Sequence, residues 1–460
     1  MKKTNQVGTQ FTTTTRRGFD RMGVNGESVG YLNRKLAFIA GALPGEKVSA
    51  VVTKTYRNFL RARAIKIIRP SQLRVKPVDP YANLVGGFEL ENMQYSAQLR
   101  FKRALVKQAL NEYRPRGYQN YRVNRTMGMQ HPYHYRNKLQ FPVRLVHGKV
   151  AAGLFKPRSH QLVDLKACSV QDPETMHVVR TLVAIIQELG IPVYNEAQHS
   201  GIIKTLVVRA THNTPDVQVT FVTNTPKFIK EHRVLLMIMK KLPEVTSVMQ
   251  NVNPGQTSQI WGKQTRRLMG KSHLTEKLSG LKFRLSARSF LQLNSRMIPQ
   301  LYEIVTRSLK LNASDQLVDA YSGVGTMGLP LAHQVKELRG MDIIPEAIRD
   351  ANENAKLNRI HNARYYVGTA EKLLPQWIQA GWRPTALIVD PPRTGLAPTL
   401  IKAILKAAPA KFVYVSCNPA TMARDLAQLA PKYKVRAIQP IDMMPQTARC
   451  ECVVSFKRRN

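Results

Sequence analysis

The sequence predicts an α/β protein: a doubly wound, mostly parallel sheet at the back, preceded by a small β-barrel and a mixed α/β middle. Three observations carry this. The back repeats strand, loop and helix, with QLVDAY, ELRGMDI, TALIVD and FVYVSC set between helical stretches such as EAIRDANENAKLN and TMARDLAQLA. That alternation means a parallel sheet covered on both faces. The front holds VGYL, LAFIAG and KVSAVVTKTYRNFLRARAIKII, where apolar residues alternate with polar or basic ones between turns at Gly26, Gly41, Pro44 and Gly45. Several short strands of this kind suit a five-stranded barrel of OB type. The length, 460 residues, exceeds one ordinary domain. The expected division is a barrel over 17–77, a central α/β domain over 78–284 and the parallel-sheet domain over 285–460.

Charge narrows the function. Lys and Arg number 70 against 29 Asp and Glu, a formal net charge of +41. Such a chain attracts polyanions, of which nucleic acid is the commonest. The excess is +21 over 1–150 and +8 over 311–460, so the front is expected to hold the polyanion and the back to do chemistry. On the barrel, Lys54, Arg57, Arg61 and Arg63 are expected to meet phosphates. Over 97–150, 12 basic residues and one acid accompany Tyr113, Tyr118, Tyr121, Tyr133 and Tyr135. Cations there would hold a backbone while rings stack on unpaired bases, unless the tyrosines pack in a core. No apolar run reaches the roughly 18 residues of a membrane-spanning helix. The start, MKKTNQVGTQ, lacks the apolar segment of a signal peptide. The four cysteines do not make a disulfide framework. A cytoplasmic protein with no membrane partner and no evident obligate protein partner is expected.

Chemistry concentrates at the strand ends of the back domain. The first strand runs into Asp319-Ala-Tyr321-Ser-Gly323-Val-Gly325-Thr-Met-Gly328. Glycines there let backbone approach a ligand, and a following helix would offer its N-terminus. Asp342 ends the second strand, placed to accept from ribose hydroxyls. These two features suit NAD and S-adenosylmethionine alike. The fourth strand ends in Asp390-Pro391-Pro392-Arg393. A hydride-transfer enzyme has no need of it. An amino-methyltransferase would want an aromatic residue where Arg393 stands, so the motif favours a base bearing carbonyls. The fifth strand ends in Ser416-Cys417-Asn418-Pro419, where a cysteine is either a nucleophile activated by the next helix or a buried structural residue. Glu451 opens the apolar final strand ECVVSF, as a solvated strand end or as a general base. Cys450 and Cys452 lack the further ligands a zinc ion needs and read as packing residues.

A cysteine, a glutamate and a methyl donor have one common purpose. Carbon 5 of a pyrimidine is a poor nucleophile until a thiolate adds at carbon 6 and makes it enolate-like. Once carbon 5 is methylated, a base must take its proton so that the cysteine leaves. Cys417 and Glu451 fit those two roles, and the target base must leave its stack to reach them.

With these residues in view, the chain resembles the RNA uracil-5-methyltransferases that form 5-methyluridine, in particular the bacterial 23S rRNA branch. GESVGYLNRKLAFIAGALPGEKV followed by RPSQLRV resembles the family's TRAM domain. Further matches are YRNKLQFPV, KPRSHQLVDL, HSG at 199–201, QNVNP, SFLQLN, DAYSGVGTMGL, DPPRTGL, SCNPATMARDL and DMMPQTARCE. The resemblance implies a class I methyltransferase fold (a Rossmann-like sheet) behind the TRAM barrel and a central RNA-binding domain. It implies S-adenosylmethionine contacts at Gln292, Tyr321, Gly323, Asp342 and Asp390, with Cys417 as nucleophile and Glu451 as base. Three departures stand out. The family's four-cysteine iron–sulfur positions fall on Asp79, Val85, Phe88 and Cys168. One thiolate cannot hold a cluster that needs four, so no iron–sulfur cluster and no metal is expected. Asp342 stands where Glu is common, and Arg449 where His is frequent.

The expected function is therefore methylation of a uridine in 23S rRNA. The same chemistry on a tRNA T-loop is the alternative, and the TRAM region favours rRNA because the bacterial tRNA branch looks to lack it. A cytosine-5 enzyme would carry Pro-Cys and Thr-Cys-Ser motifs, absent here. A non-catalytic RNA-binding factor would not need Cys417, Glu451 and Asp390. A Rossmann dehydrogenase leaves DPPR, SCNP and the charge unexplained.

Overall fold

In a computed structural model, residues 6–459 are described. They form two compact units. One runs through Pro132 and includes Ser416–Ala430 and Arg436–Cys452; the other holds Tyr133–Val415, Pro431–Val435 and the chain from Val453.

The first unit opens with a curled five-stranded sheet in the order β1-β4-β5-β3-β2. Its strands are β1 (Gln10–Thr14), β2 (Ser28–Leu32), β3 (Lys35–Ala40), β4 (Lys47–Thr55) and β5 (Phe59–Arg69). Alternation places Val48, Ala50 and Val52 of β4 inside, against Phe11, Ile39 and Leu60. β1 lies ahead of residue 17 and pairs antiparallel with β4. Lys54, Arg57 and Arg63 are exposed, while Arg61 is half-buried and pairs with Glu27 at 3.5 Å. Helix α1 (Tyr95–Tyr113) follows, burying Ala97, Phe101, Leu105 and Ala109 along one stripe. Of the five tyrosines, Tyr113 is exposed and Tyr135 fully buried; Tyr118, Tyr121 and Tyr133 lie between.

The second unit contains one seven-stranded sheet and the greater part of another. The first joins β6 (Lys138–Val146), β7 (Lys149–Phe155), β8 (Leu162–Asp164), β9 (Ile203–Ala210), β10 (Val217–Thr223), β11 (Val245–Val252) and β12 (Gln264–Gly270) in the order β12-β11-β10-β9-β6-β7-β8. Helices α2 (Pro173–Glu188) and α3 (Glu231–Lys241) accompany it. β9 and β10 are buried along their whole length, including their polar residues Lys204, Thr205, Arg209, Gln218, Thr220 and Thr223. A hairpin, β13 (Leu274–Leu278) and β14 (Leu281–Leu285), leads on.

The last sheet holds β15 (Gln316–Ala320), β16 (Glu337–Asp342), β17 (Ala363–Val367), β18 (Ala386–Val389), β19 (Lys411–Ser416), β20 (Tyr433–Ile441) and β21 (Glu451–Arg458) in the order β17-β16-β15-β18-β19-β21-β20. β15 pairs in parallel with β16 and β18, as do β16 with β17 and β18 with β19. Helices α4 (Ile298–Leu309), α5 (Pro345–Leu357), α6 (Ala370–Gln379), α7 (Pro398–Ala407) and α8 (Pro419–Leu429) alternate with these strands. This is the expected doubly wound sheet. One expectation is corrected. The glycine loop after β15 runs into a short 3-10 helix, Leu329–Gln334, not an α-helix. β16 begins at Glu337, so the chain lacks the length for an α-helix there. Among the described residues, no helix is long and apolar enough to cross a membrane.

Candidate active site

The carboxyl ends of β15, β16 and β18 carry the residues expected to contact the cofactor. Asp342 ends β16, and its two carboxylate oxygens accept from Gly323 N and Ile344 N, each at 3.0 Å. Those bonds orient the carboxylate and leave lone pairs for further donors. Gly323 has φ +54°, and a side chain added there would meet only the Phe290 carbonyl oxygen, at 3.9 Å. Gly325, at φ +82°, has no such room, because a Cβ would lie 2.8 Å from the Tyr365 hydroxyl. The loop thus presses on the sheet at Gly325 and leaves open space at Gly323. Tyr321 sits in left-handed backbone, φ 64°, uncommon for a bulky residue, and its hydroxyl donates to Glu371 Oε1 at 2.9 Å.

Asp390 follows β18. Burial pushes its carboxyl up to about 7, opposed by the hydrogen bond from Gln292 Nε2 at 3.4 Å. Gln292 is held from behind, since Asn137 Nδ2 donates to the Gln292 carbonyl at 3.0 Å and to Ser295 Oγ at 2.7 Å. Sequence reasoning passed over three neighbours. Asp319 is 2% exposed, and burial raises it to about 7, against a hydrogen bond from the Gly328 backbone. Phe290 is 51% exposed, with Lys138 Nζ 6.0 Å from its ring centre. Burial, then the charges of Arg209 and Arg136, brings Lys138 down to about 7. The available signal was the motifs themselves: Asp319, Phe290 and Lys138 lie in DAYSGVGTMGL, SFLQLN and YRNKLQFPV.

Cys417 and Glu451 both belong to the first unit. β19 ends at Ser416, and Asn418 caps α8, its side-chain oxygen accepting from Ala420 N at 3.2 Å, with Pro419 at the first helical position. Cys417 is therefore held just ahead of the end where the helix's backbone N–H groups converge, and it is partly exposed. Glu451, first residue of β21, is 5% exposed. Cys450 and Cys452 are buried with their sulfurs 3.9 Å apart. The Cys450 hydrogen bond and burial push the Cys452 thiol well up, and Glu451 and Cys417 add to the shift. Both groups thus stand near the same buried sulfur. Arg393 and Arg449 are exposed.

The positions expected to correspond to the family's iron–sulfur ligands are buried. Asp79, Val85 and Phe88 are 4–5% exposed, and the Asp79 carboxylate accepts from Tyr81 N at 2.8 Å. Cys168 is buried in the other unit.

Comparison with known proteins decides the family. Residues 261–459 match the tRNA (uracil-5-)-methyltransferase family and residues 19–65 the TRAM domain. An RNA methyltransferase of Lactiplantibacillus plantarum is 54% identical over the whole chain, covering 95% of that relative. One of Enterococcus faecalis is 46% identical over 95% of this chain and 96% of its own. The chain belongs to the RNA (uracil-5-)-methyltransferase family. The solved Pyrococcus abyssi tRNA (uracil-54, C5)-methyltransferase, crystallised with S-adenosyl-L-homocysteine, superposes with a TM-score of 0.75 at 26% identity. The match covers 96% of this chain and 99% of that one.

As a family member the enzyme depends on S-adenosylmethionine, and the strand-end residues fit that molecule. Asp342 offers an oriented acceptor for a ribose diol, and open space at Gly323 admits a ligand against the backbone. Gln292 and Asp390 add polar groups in the same unit.

Proposed function

We propose that this enzyme methylates carbon 5 of a uridine in 23S rRNA, with Cys417 as nucleophile and Glu451 as the base that removes the carbon-5 proton. The observation that carries the chemistry is the pairing, in one unit, of a half-exposed cysteine ahead of a capped helix and a buried carboxylate, both near Cys452. Gln292, Tyr321, Gly323, Asp342 and Asp390 are proposed to hold S-adenosylmethionine, whose sulfonium supplies an electrophilic methyl group when bound. The Cys417 sulfur bonds to carbon 6, and the electron pair moves through carbon 5 to the carbonyl at carbon 4. Carbon 5 can then accept the methyl group. Glu451 takes the proton from carbon 5, the carbon 5–carbon 6 double bond re-forms, and the Cys417 sulfur departs with its bonding pair. Glu451 is buried at the start of β21, where its carboxylate is shielded from bulk solvent. The exposed cations of β4 and β5 suit phosphate contact. We keep 17–77, 78–284 and 285–460 as proposed functional divisions, with β1 extending the first towards the N-terminus.

A uridine of a tRNA T-loop is the second reading, favoured by one observation. The Pyrococcus abyssi enzyme, which acts on uracil-54 of tRNA, matches 96% of this chain, so a front domain of this kind does not by itself point to rRNA. The motif resemblance to the 23S rRNA branch keeps rRNA first. Incubation with labelled S-adenosylmethionine and unmodified 23S rRNA or tRNA, with nucleosides identified by mass, separates them. 5-Methyluridine in rRNA alone supports the first reading; the same product in tRNA alone overturns it.

A further inference from the structure

The first unit contains an ion pair withdrawn from solvent on both sides. Lys102 of α1 and Asp442 have fully buried side chains. The Lys102 ammonium pairs with the Asp442 carboxylate and donates to the Met444 carbonyl at 2.9 Å. One turn earlier, Gln98 Nε2 donates to Gln446 Oε1 at 2.8 Å, and Gln446 N donates back to Gln98 Oε1 at 3.1 Å. Gln98 and Lys102 are four residues apart and so share a helix face. Leu90 N donates to the Gln446 carbonyl at 2.9 Å. Ala448 packs with Met93, Ala97 and Phe101 in one apolar cluster. The same helix packs against α8, which begins two residues after Cys417.

These contacts converge on Asp442–Cys450, the irregular stretch between β20 and β21 that ends at Glu451. A buried ion pair is a poor way to gain stability, because two apolar side chains of similar volume often serve as well. What it adds is register. An ammonium needs acceptors in fixed directions, and here it takes one from a side chain and one from the backbone two residues on. A stretch without ladder or helix hydrogen bonds is thereby held in one place.

We propose that Lys102 and Asp442, with Gln98 and Gln446 beside them, are positioning residues for Glu451. They fix the segment that delivers its carboxylate to the carbon-5 proton. The inference rests on the reading of Glu451 as the base. Its signature is selective: the covalent conjugate with RNA should still form, and its breakdown should slow. A misplaced base costs on the order of 10- to 100-fold in that step.

The test follows conjugate and product over time on denaturing gels, using the full-length enzyme, substrate RNA and labelled S-adenosylmethionine. Lys102→Met strands a buried carboxylate and risks the fold, so the charge-free double variant Lys102→Met/Asp442→Leu accompanies it, with its melting curve. Glu451→Gln is the reference and should accumulate conjugate. The folded double variant should also accumulate conjugate, with RNA and cofactor affinity unchanged. Adding it to Glu451→Gln should slow breakdown no further. A folded double variant that clears conjugate at the wild-type rate overturns this inference and leaves the role of Glu451 standing. Absence of conjugate with Glu451→Gln overturns the reading beneath it.

Discussion

The curled sheet of β1–β5 and the parallel sheet around β15–β19 use charge in opposite ways. On the first, Lys54, Arg57 and Arg63 stand exposed, and residues 1–78 hold 16 basic residues against three acids. On the second, acids cluster at strand ends, and Asp319 and Asp390 are desolvated enough to titrate near 7. Exposed cations act through many interchangeable contacts that salt weakens. Buried acids act through a few fixed contacts, and pH governs them. Substitutions on the front should therefore be small, additive and salt-dependent. Those on the back should be large and specific to one step.

The largest expected effect is that of Cys417→Ala, which should lower methyl transfer by at least about 10⁴-fold. RNA affinity, measured by filter binding, should stay near wild type. Retained turnover would erase the proposed division between binding and chemistry. Asp342→Asn comes next. Loss of the proposed charged acceptor for ribose hydroxyls should weaken S-adenosylmethionine binding roughly 10- to 100-fold by calorimetry, with RNA binding untouched.

Asp319→Asn sharpens the contrast through pH. The folded protein keeps the Asp319 proton up to about 7, whereas an unfolded chain releases it near 4. Its contribution to stability is thus full below about 4 and is lost as pH rises towards 7. Asp390, pushed the same way, adds the same sign. The substituted amide cannot ionise, so the variant should lose less stability than wild type between pH 4 and 7. At pH 8 it should be more stable by about 1–3 kcal/mol. An unchanged pH slope of melting would show that Asp319 is not protonated in that window.

The smallest effect belongs to the front. Lys54→Ala/Arg57→Ala/Arg63→Ala should weaken RNA binding modestly and lower the salt slope of log affinity by about 2, at roughly 0.7 per lost single-strand phosphate contact. Turnover at saturating RNA should not change. An unaltered slope would remove these cations from the RNA interface.

The strands of the parallel sheet were legible because buried strands are short apolar runs closed by Asp, Gly or Pro, as in TALIVD before Pro391. The proposed nucleophile and base each had a structural alternative in the sequence, a buried cysteine and a solvated strand end; the structure leaves Cys417 partly exposed and Glu451 buried. What pattern could not supply was long-range pairing. Lys102 is one of the 12 basic residues over 97–150, and charge alone assigns it to RNA. Its partner Asp442 lies 340 positions away, and only the fold withdraws both from solvent. The glycine loop misled in a similar way. Its GVGTMG pattern implies a following helix, but the few residues before β16 leave room only for a 3-10 turn. β1 escaped notice because QFTTT carries one strongly apolar residue and gains its strand character by pairing with β4.

The central claim is a covalent bond between Cys417 and carbon 6 of a uridine. RNA carrying 5-fluorouridine tests it directly, because fluorine cannot leave carbon 5 as the proton does, and the conjugate cannot resolve. Wild-type enzyme, this RNA and S-adenosylmethionine should give a conjugate stable on a denaturing gel, with the modified peptide mapping to Cys417 and the adduct carrying one methyl group. Absence of a conjugate, or one mapped to a different residue, would contradict the account.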